Sequence, residues 1–236
     1  MKKIVVVTGA GQGLGYHIVR CHADLHDTVY ALDCNITTEI ESLAKEYSSL
    51  KVYQCDVSSD KEVEESLKDV LREGKQVDVI YNVAGIAKAG GRAGIDKTNM
   101  DDCLEMYNVN ALGALRVCRV LWPLIEKGSL VMNISSEAGS IGAARRSAMY
   151  GYCMSKAAMN MGSKILSNQL WEKDARVMCI YPGWLKTKMG GPEALRSSKS
   201  VLPEESAKNI VEIVGNIDSI PRDQMFMSHI GDILPW

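Results

Sequence analysis

Short apolar runs rich in β-branched residues recur along this 236-residue chain, separated by longer segments with apolar residues at helical spacing. The short runs do not alternate with polar residues, so they predict strands covered on both faces. We predict strands near residues 4–7, 28–32, 51–55, 77–81, 128–134, 176–181 and 224–228, and helices near 16–25, 37–47, 60–73, 101–124, 151–171 and 203–217. This alternation predicts one α/β domain over residues 1–236, with a doubly wound parallel sheet of about seven strands and helices on both faces.

Composition excludes several classes of protein. Lysine and arginine number 27 against 29 acidic residues, for a formal net charge of −2 without a long basic run, so no nucleic-acid partner is expected. The first residues lead directly into a strand and no 18-residue apolar span occurs, so neither a signal peptide nor a membrane partner is expected. Seven cysteines without Cys-x-x-Cys spacing and four histidines predict reduced thiols, no metal site and a cytoplasmic location.

A glycine-rich turn, TGAGQGLG over residues 8–15, follows the first predicted strand. It does not fit Gly-x-Gly-x-x-Gly, and it lacks the Gly-Lys-Ser/Thr of nucleoside triphosphatases. Glycines between a strand and a helix permit a tight turn and close approach of a phosphate, which the helix N-terminus attracts. We therefore expect a dinucleotide at Gly9, Gln12, Gly13, Leu14 and Gly15, with a turn that binds nothing as the alternative.

Asp33 ends the second predicted strand, 18 residues after Gly15. A carboxylate there can accept hydrogen bonds from the adenosine ribose and repels a 2′-phosphate. Because the glycine turn contains no Arg or Lys and Cys34 follows the aspartate, NAD(H) is favoured over NADP(H) as the cofactor. Asp33 could instead cap the next helix. Asp56 after the third strand has the same ambiguity, and Asp56 and Val57 are expected near the adenine.

Tyr152 and Lys156 lie four residues apart in the predicted helix 151–171, which places them on one face. A nearby cation favours the phenolate and lowers the pKa of a tyrosine from about 10. The pair therefore predicts a proton donor and acceptor usable nearer neutral pH. A surface pair that shares a face by chance is the alternative. Tyr150 competes with Tyr152, but Met154 rather than a lysine stands four residues after it.

Further short motifs stand in a fixed order along the chain. They are the glycine turn at Thr8, NVAG at Asn82, NVNA at Asn108, NISS at Asn133, YCMSK at Tyr152 and then Pro182-Gly183. Together they resemble the short-chain dehydrogenase/reductase family over essentially the whole chain, most closely its C-factor-like carbonyl reductases. The resemblance implies a single-domain Rossmann fold and an NAD(P)-dependent oxidoreductase that acts on CH–OH or C=O groups.

The resemblance also implies a role for each matching residue. Tyr152 is the general acid in reduction and the base in oxidation, and Lys156 holds the nicotinamide ribose and lowers the pKa of Tyr152. Ser136 hydrogen-bonds the substrate oxygen, and Asn110 holds a water in the proton relay. The remaining cofactor contacts implied by the resemblance are Asn82, Ala84, Gly85, Pro182, Gly183 and Thr187.

Two features depart from the family pattern. Val83 replaces a usual asparagine, and Ser136 precedes Tyr152 by 16 residues, about three more than is common in the family. Ser135 and Ser140 therefore remain alternatives for the active-site serine. The extra residues lie within 143–149 and bring Arg145 and Arg146 to the mouth of the expected cleft.

Residues 184–202 are expected to form an irregular segment that covers a small carbonyl or alcohol substrate. Its charges could attract an acidic substrate or simply face solvent; they are Lys186, Lys188, Arg196 and Lys199. The leading hypothesis is an NAD(H)-dependent oxidoreductase. The alternatives are a non-catalytic or weakly catalytic cofactor-binding signalling protein of the C-factor type, and an NADPH-linked pterin or quinone reductase, against which Asp33 argues.

The predicted helices 101–124 and 151–171 carry more apolar residues than one sheet face needs. These are Leu112, Leu115, Val117, Leu121, Met159, Met161 and Leu166. A helix that is apolar all round is a buried helix. The resemblance implies that the two helices pair with their copies in a homodimer or homotetramer, and deeper burial within one chain is the alternative.

Overall fold

The computed structural model describes residues 2–236 and contains one parallel sheet of seven strands in the order β3-β2-β1-β4-β5-β6-β7. The strands are β1 Ile4–Thr8, β2 Thr28–Asp33, β3 Leu50–Gln54, β4 Val79–Asn82, β5 Leu130–Ile134, β6 Arg176–Tyr181 and β7 Phe226–Ser228. The helices are α1 Gly13–Asp24, α2 Thr38–Glu46, α3 Asp60–Ser66, α4 Lys68–Glu73, α5 Met100–Tyr107, α6 Gly113–Leu121, α7 Tyr150–Leu170, α8 Gly191–Arg196 and α9 Pro203–Gly215. The predicted α/β fold with a parallel sheet is confirmed.

The two faces of the sheet are covered by different helices. Ile18 of α1, Ile40 of α2 and Ile210 of α9 lie in the core on one face. On the other face the core includes Val63 of α3 and Leu121 of α6, together with residues of α4 and α7. Because both faces are buried, the strands are continuous apolar runs, as the sequence pattern indicates.

β1 and β4 pair with each other at the centre of the sheet. From β1 the chain adds strands towards one side, and from β4 it adds them towards the other, so the strand order reverses here. In an open parallel sheet, a crevice forms beyond the carboxyl ends of the strands at such a reversal. The loops that follow β1 and β4 carry the glycine turn and the NVAG motif, so the fold brings these two motifs to the same crevice.

The prediction of one continuous helix over residues 101–124 is wrong. The structure has α5, a π-helical turn at Asn108–Leu112, α6 and a 3₁₀ turn at Trp122–Leu124. The π turn contains Asn110, which is fully buried and bonded through its side chain to the loop after β4. Insertions of this kind concentrate at functional sites, and they depend on tertiary contacts that helical periodicity does not reveal.

Three further segments differ from the sequence prediction. The predicted helix 60–73 is divided into α3 and α4 at Leu67, whose side chain is fully buried. The segment 184–202, predicted as irregular, contains the short helix α8. The predicted loop 135–149 begins with a 3₁₀ turn at Glu137–Gly139, which the Ser136 side chain caps.

The apolar residues of α6 and α7 divide between the core and the surface. Val117, Leu121 and Met159 are buried, whereas Leu115 is 40% exposed and Met161 is 63% exposed. The Leu115 side chain lies against Gly162, the residue that follows Met161, so α6 and α7 adjoin here. Deeper burial within one chain, the alternative considered for these helices, does not account for the two exposed side chains.

Within residues 2–236, no helix combines the length and apolar character needed to cross a membrane. The same residues contain no group of three or more His, Cys, Asp and Glu side chains arranged to hold a metal ion.

Candidate active site

The glycine turn after β1 has a backbone that requires its glycines. Gly9 and Gly13 have φ angles of +65° and +56°, which non-glycine residues rarely adopt. A Cβ on Gly15 would lie 2.0 Å from the carbonyl oxygen of Gly9, so only glycine permits this packing of α1 against the turn. The helix begins at Gly13 after an exposed Gln12 whose side chain makes no capping hydrogen bond, and its first turn contains no acidic residue.

The start of α1 fits a pyrophosphate group. The first N–H groups of a helix lack partners within the helix and carry the positive end of its dipole. Leu14 is buried beneath them and holds the first turn against the sheet. Because no carboxylate and no capping side chain competes for these N–H groups, the turn has the chemistry that a dinucleotide requires.

Asp33 is bound to the glycine turn rather than to a helix. Its Oδ2 accepts a hydrogen bond from the Gly11 N–H at 2.8 Å, and its Oδ1 accepts one from the Asn35 N–H at 2.9 Å. Thr37 caps α2 by accepting from the Ile40 N–H, so the alternative of Asp33 as the helix cap is wrong. An ionised carboxylate has about four acceptor positions, which leaves capacity for ribose hydroxyls.

Asp56 and Val57 follow β3 beside Asp33. The Cys55 N–H donates to the Asp33 carbonyl oxygen at 2.9 Å, which places Asp56 next in line at the same edge of the sheet. The Asp56 carboxylate accepts from the Ser58 N–H at 2.8 Å. Val57 is buried, and a Cβ on Gly113 would lie 2.8 Å from its side chain, so Val57 joins this edge to α6.

The NVAG loop after β4 is held against the glycine turn. Thr8 Oγ1 accepts hydrogen bonds from the N–H groups of Val83 at 3.1 Å and Ala84 at 3.2 Å. A Cβ on Gly85 would lie 3.7 Å from Lys156 Nζ and 3.2 Å from Asn110 Oδ1. Three motifs that are far apart in sequence therefore meet at Gly85.

Asn82 lies at the end of β4 in a buried polar chain. Its Nδ2 donates to Asn133 Oδ1 at 2.8 Å, and Asn133 in turn donates to the Ser163 hydroxyl at 2.7 Å. The Asn82 Oδ1 atom is buried and has no hydrogen-bond partner among residues 2–236. Such orphaned atoms are rare in folded proteins and call for an explanation.

Asn110 is fully bonded within the π turn. Its Oδ1 accepts from the Ile86 N–H at 2.7 Å, and its Nδ2 donates to the Ile86 carbonyl oxygen and to Ser155 Oγ, both at 2.9 Å. The amide therefore ties α7 to the loop after β4. A water relay at Asn110 stays a prediction of the family resemblance.

Lys156 is 4% exposed, and its Nζ donates to the Ile134 carbonyl oxygen at 2.8 Å. Burial lowers the pKa of Lys156 from its ordinary value of 10.5 to about 8. Nζ lies 6.0 Å from the centre of the Tyr152 ring. The predicted pairing on one helix face is present, with the ammonium group directed towards the end of β5.

The expected lowering of the Tyr152 pKa is not found. Burial raises the pKa of Tyr152, and it outweighs the lowering effects of the nearby Ser136 hydroxyl and Arg92. The spacing argument failed because it considered only the cation, whereas the fold removes the phenol from water and holds Lys156 at Ile134. At neutral pH the phenol is therefore protonated, which suits a proton donor.

The three candidate serines lie in different environments. Ser136 is 7% exposed, lies beside the Tyr152 phenol, and accepts from the Ala138 N–H at 3.1 Å. Ser135 instead donates to Asn160 Oδ1 at 2.6 Å within the interior. Ser140 is buried and accepts from the Ala143 N–H at 3.0 Å. The geometry favours Ser136 as the serine that shares a site with Tyr152.

Tyr150 lies apart from the lysine. It begins α7 and lines a small cavity of about 160 Å³ together with Cys153 and Met154. Residues three and four positions apart share a helix face, so this cavity lies on a different face from that of Tyr152 and Lys156. The competing assignment of Tyr150 has no geometric support.

The segment after β6 reaches back to the glycine turn. Pro182 is buried and accepts from Ser206 Oγ at 2.7 Å, and Gly183 has a φ angle of +86°. A Cβ on Gly13 would lie 3.4 Å from the methyl group of Thr187. Thr187 and the predicted covering segment therefore lie beside the proposed pyrophosphate position. Of the loop charges, Lys188, Arg196 and Lys199 are exposed.

Sequence reasoning missed Glu137 and assigned Arg146 only to the cleft mouth. Arg146 Nη2 donates to Glu137 Oε1 at 2.5 Å, and Glu137 Oε2 is buried without a hydrogen-bond partner among residues 2–236. No sequence motif marks this pair. The only signal was the extra length between Ser136 and Tyr152, because a longer loop needs contacts to hold it.

Comparison with known proteins places this geometry in a family. The family model described as short chain dehydrogenase matches residues 3–197. An uncharacterized oxidoreductase of Schizosaccharomyces pombe is 28% identical over 99% of this chain and 98% of its own length. The C-signal of Myxococcus xanthus is 31% identical over 68% of this chain and 93% of its own length.

Solved structures share the fold. The carbonyl reductase Sniffer of D. melanogaster has a TM-score of 0.87 and 25% identity, with complete coverage of both chains. An NADPH-bound carbonyl reductase from chicken fatty liver has a TM-score of 0.89 and 24% identity, over 100% of this chain and 99% of its own. At that identity the second likeness supports the fold alone.

Proposed function

This chain belongs to the short-chain dehydrogenase family, and on that premise we propose that it is an NAD(H)-linked oxidoreductase of a small carbonyl or alcohol substrate. The observation that carries the proposal is the convergence of Ser136, Tyr152 and Lys156 at the crevice that the glycine turn borders. The similarity to a carbonyl reductase at 25% identity over the whole chain supports a carbonyl as the substrate group.

Each side chain has a chemical task in this proposal. The nicotinamide cofactor, when bound, supplies or accepts the hydride. Tyr152, whose raised pKa keeps it protonated, donates its proton to the substrate oxygen in reduction and takes one back in oxidation. Ser136 donates a hydrogen bond to that oxygen and stabilises the negative charge that develops there. Lys156 binds the nicotinamide ribose, and Asn110 fixes the loop and α7 around it.

Asp33 is the argument for NAD(H) over NADP(H). One of its carboxylate oxygens accepts from the Gly11 N–H of the glycine turn and the other from the Asn35 N–H, which fixes a negative charge where the adenosine ribose would lie. A 2′-phosphate beside that charge would be repelled. The NADPH-bound neighbour from chicken fatty liver does not decide this point, because at 24% identity it supports the fold alone, so the preference rests on Asp33.

Two alternatives follow from the same family. The similarity to the C-signal favours a cofactor-binding signalling protein as the second candidate. The intact set of Asn110, Ser136, Tyr152 and Lys156 argues for catalysis, because a binding protein does not require a proton donor beside the crevice. An NADPH-linked pterin or quinone reductase is disfavoured by Asp33 for the reason given above.

The test combines cofactor binding with turnover. NADH and NADPH are titrated separately by fluorescence, and oxidation of the preferred cofactor is then followed with a panel of aldehydes, ketones, pterins and quinones. We expect tighter NADH binding and reduction of at least one aldehyde or ketone. Cofactor binding without turnover of any panel member would favour the signalling protein, and tighter NADPH binding would contradict the role of Asp33.

We further propose that α6 and α7 pair with a second copy of the chain. Leu115, Met161 and Ile165 are exposed apolar side chains on these helices, and Met154 extends the surface along α7. An exposed apolar surface of this kind marks an interaction site. Light scattering at micromolar concentration should show a dimer or tetramer, and Met161→Glu should shift it to the monomer. The control Lys45→Glu, at an exposed position of α2 on the other face of the sheet, should not.

A further inference from the structure

Glu137 occupies a fixed position next to the proposed active-site serine. It begins the 3₁₀ turn Glu137–Gly139, which the Ser136 hydroxyl caps by accepting from the Ala138 N–H. The turn is pressed on α7, because a Cβ on Gly139 would lie 2.8 Å from the backbone carbonyl carbon of Lys156. The backbone therefore holds Glu137 in place beside Ser136 and α7.

The two carboxylate oxygens of Glu137 are in unlike situations. Oε1 accepts from Arg146 at 2.5 Å, whereas Oε2 is buried and has no donor among residues 2–236. A buried acceptor without a partner carries a desolvation penalty, more for a charged group than for a neutral one. The side chain as a whole is 35% exposed, and the last torsion of a glutamate is soft, so a small rotation presents Oε2 to a ligand.

Glu137 also stands beside the reacting groups. Its negative charge is one of the influences that raise the pKa of both Tyr152 and Tyr181, with burial as the larger cause in each case. Tyr181 ends β6, and the Ser135 N–H donates to the Ile180 carbonyl oxygen at 2.8 Å, so the carboxyl ends of β5 and β6 adjoin here. The Glu137 carboxylate thus adjoins Ser136 in the chain and lies close enough to the Tyr152 phenol for its charge to act there.

The sign of the charge restricts the ligand. A carboxylate oxygen accepts hydrogen bonds and cannot donate them, so only a donor group satisfies it. Arg146, which bonds the other oxygen of Glu137, is already neutralised in that ion pair and offers no net attraction to an acidic substrate. A neutral or cationic donor therefore fits this position, and a substrate carboxylate does not.

From this geometry we infer that Glu137 determines substrate specificity by accepting a hydrogen bond from a hydroxyl or ammonium group that the substrate carries near its carbonyl. The inference rests on the proposed oxidoreductase function and adds the class of substrate, a hydroxy- or amino-carbonyl compound. Binding of such a substrate pairs the Oε2 atom, whereas binding of a plain carbonyl compound leaves it unpaired.

The test uses ketone and aldehyde pairs in which a methyl group replaces a hydroxyl group. The pairs are 1-hydroxy-2-butanone with 3-pentanone, 4-hydroxy-2-butanone with 2-pentanone, and 3-hydroxybenzaldehyde with 3-methylbenzaldehyde. The measured quantity is the ratio of kcat/KM for the hydroxyl member to that for the methyl member. A site built to bond a substrate hydroxyl discriminates strongly against the analogue that lacks it, so we expect a ratio of about 10² or more for at least one pair.

Two variants distinguish a role of Glu137 in binding the substrate hydroxyl from a role of its ion pair with Arg146 in holding the loop after Ser136. Glu137→Met keeps the length of the side chain and removes the acceptor, so the ratio should fall to within about threefold of one while the methyl members are still reduced. Arg146→Met breaks the same ion pair but leaves the acceptor, so the ratio should persist. Arg145→Met is the control, since among residues 2–236 the guanidinium of Arg145 bonds only to the carbonyl oxygen of Ala144.

Each outcome decides the inference. A parent ratio near one for every pair, or a high ratio that Glu137→Met leaves unchanged, overturns it while turnover of the methyl members upholds the oxidoreductase function. If no carbonyl compound is reduced at all, the oxidoreductase function fails. Calorimetry of 3-hydroxybenzaldehyde with the NADH-loaded protein then decides about Glu137: tenfold weaker binding by Glu137→Met supports the inference, and equal binding overturns it.

Discussion

Two buried polar clusters lie at opposite edges of the sheet, and they differ in how well their atoms are satisfied. At the amino edge, His22 bonds Asp27 Oδ2 at 2.7 Å and the Tyr81 hydroxyl at 2.9 Å, and Asp27 Oδ1 accepts from the Lys3 N–H at 2.8 Å. His22, Asp27 and Tyr81 are all at most 4% exposed, and each polar atom of their side chains has a partner. This cluster is complete within the chain.

The cluster at the carboxyl edge is incomplete. Asn82 and Glu137 each have a buried oxygen without a partner among residues 2–236, and the buried ammonium of Lys156 has a carbonyl rather than a carboxylate beside it. Unsatisfied buried groups and strongly shifted pKa values concentrate where a protein binds a ligand. The difference between the two edges therefore indicates function at one and stability at the other.

The pKa shifts have opposite consequences at the two edges. Burial acts to raise the pKa of Asp27, but hydrogen bonds from His22 and the Lys3 N–H outweigh it and the pKa is lowered. A lowered carboxyl pKa means that the fold favours the charged form, which contributes stability that is lost only as the pH falls through that pKa. Lys156, in contrast, is a base with a lowered pKa, so its charged form opposes folding.

The largest effect is expected for Tyr152→Phe, which keeps the ring and removes the proposed proton donor. Turnover should fall by about 10²- to 10⁴-fold, the usual contribution of a positioned acid or base, while NADH affinity stays close to that of the parent. Steady-state kinetics and a fluorescence titration measure the two. Tyr150→Phe is the matched control and should change neither. If Tyr150→Phe abolished turnover and Tyr152→Phe did not, the incomplete cluster would lose its catalytic interpretation.

The next effect is on stability at the amino edge. His22→Leu leaves the Asp27 carboxylate and the Tyr81 hydroxyl buried without their partner, so the free energy of unfolding should fall by about 3–5 kcal/mol. Urea denaturation measures it. His26→Asn, an exposed neighbour with a left-handed backbone that asparagine tolerates, should stay within about 0.5 kcal/mol. If His22→Leu lowered the free energy of unfolding only slightly, the cluster at the amino edge would not have the stabilising role assigned to it.

Lys156→Met should raise the free energy of unfolding at neutral pH, the opposite of the change expected for His22→Leu. A folded-state pKa of about 8 against an ordinary value of 10.5 opposes folding of the protonated form by about 3 kcal/mol at most, and methionine removes that penalty. The variant should therefore be more stable than the parent and lack turnover. The parent should gain stability from this group between pH 8 and 10.5, because the unfolded chain then binds the extra proton, so the gap between the two should narrow.

Lys164→Met provides the control, since Lys164 is exposed on the same helix. Its unfolding free energy should match that of the parent within about 0.5 kcal/mol at each pH. If the Lys156→Met protein were less stable than the parent at pH 7, the buried charge at the carboxyl edge would not oppose folding, and the two edges would not differ in this respect.

The smallest effect concerns Asp33→Ala. Loss of the ribose acceptor and of the charge that repels a 2′-phosphate should narrow the preference for NADH over NADPH by about tenfold, close to the effect of one charged hydrogen bond. Paired fluorescence titrations measure the ratio. Asp56→Ala, in which a carboxylate after the next strand is removed, should change it less. If Asp33→Ala left the ratio of NADH to NADPH affinity unchanged, Asp33 would only hold the glycine turn and would not select the cofactor.

Much of the fold could be predicted from the sequence because its signals are local. The alternation of apolar runs and helical segments indicated a parallel sheet, and glycines at positions 9, 13 and 15 indicated a turn that only glycine can form. The spacing of Tyr152 and Lys156 identified the face of α7 that meets the crevice. Asp33 was found through its place at the end of a strand, although only the structure shows that Thr37, not Asp33, caps α2.

The tertiary structure alone decided how these residues behave. Whether the pKa of Tyr152 rises or falls depends on burial by segments distant in sequence, and the simple pairing argument gave the wrong sign. The π turn around Asn110 and the unpaired oxygen of Glu137 likewise depend on contacts between loops. Local propensity and periodicity determine which segments become strands and helices, whereas dielectric environment and hydrogen-bond satisfaction are properties of the packed chain, which is why the chemistry became visible only there.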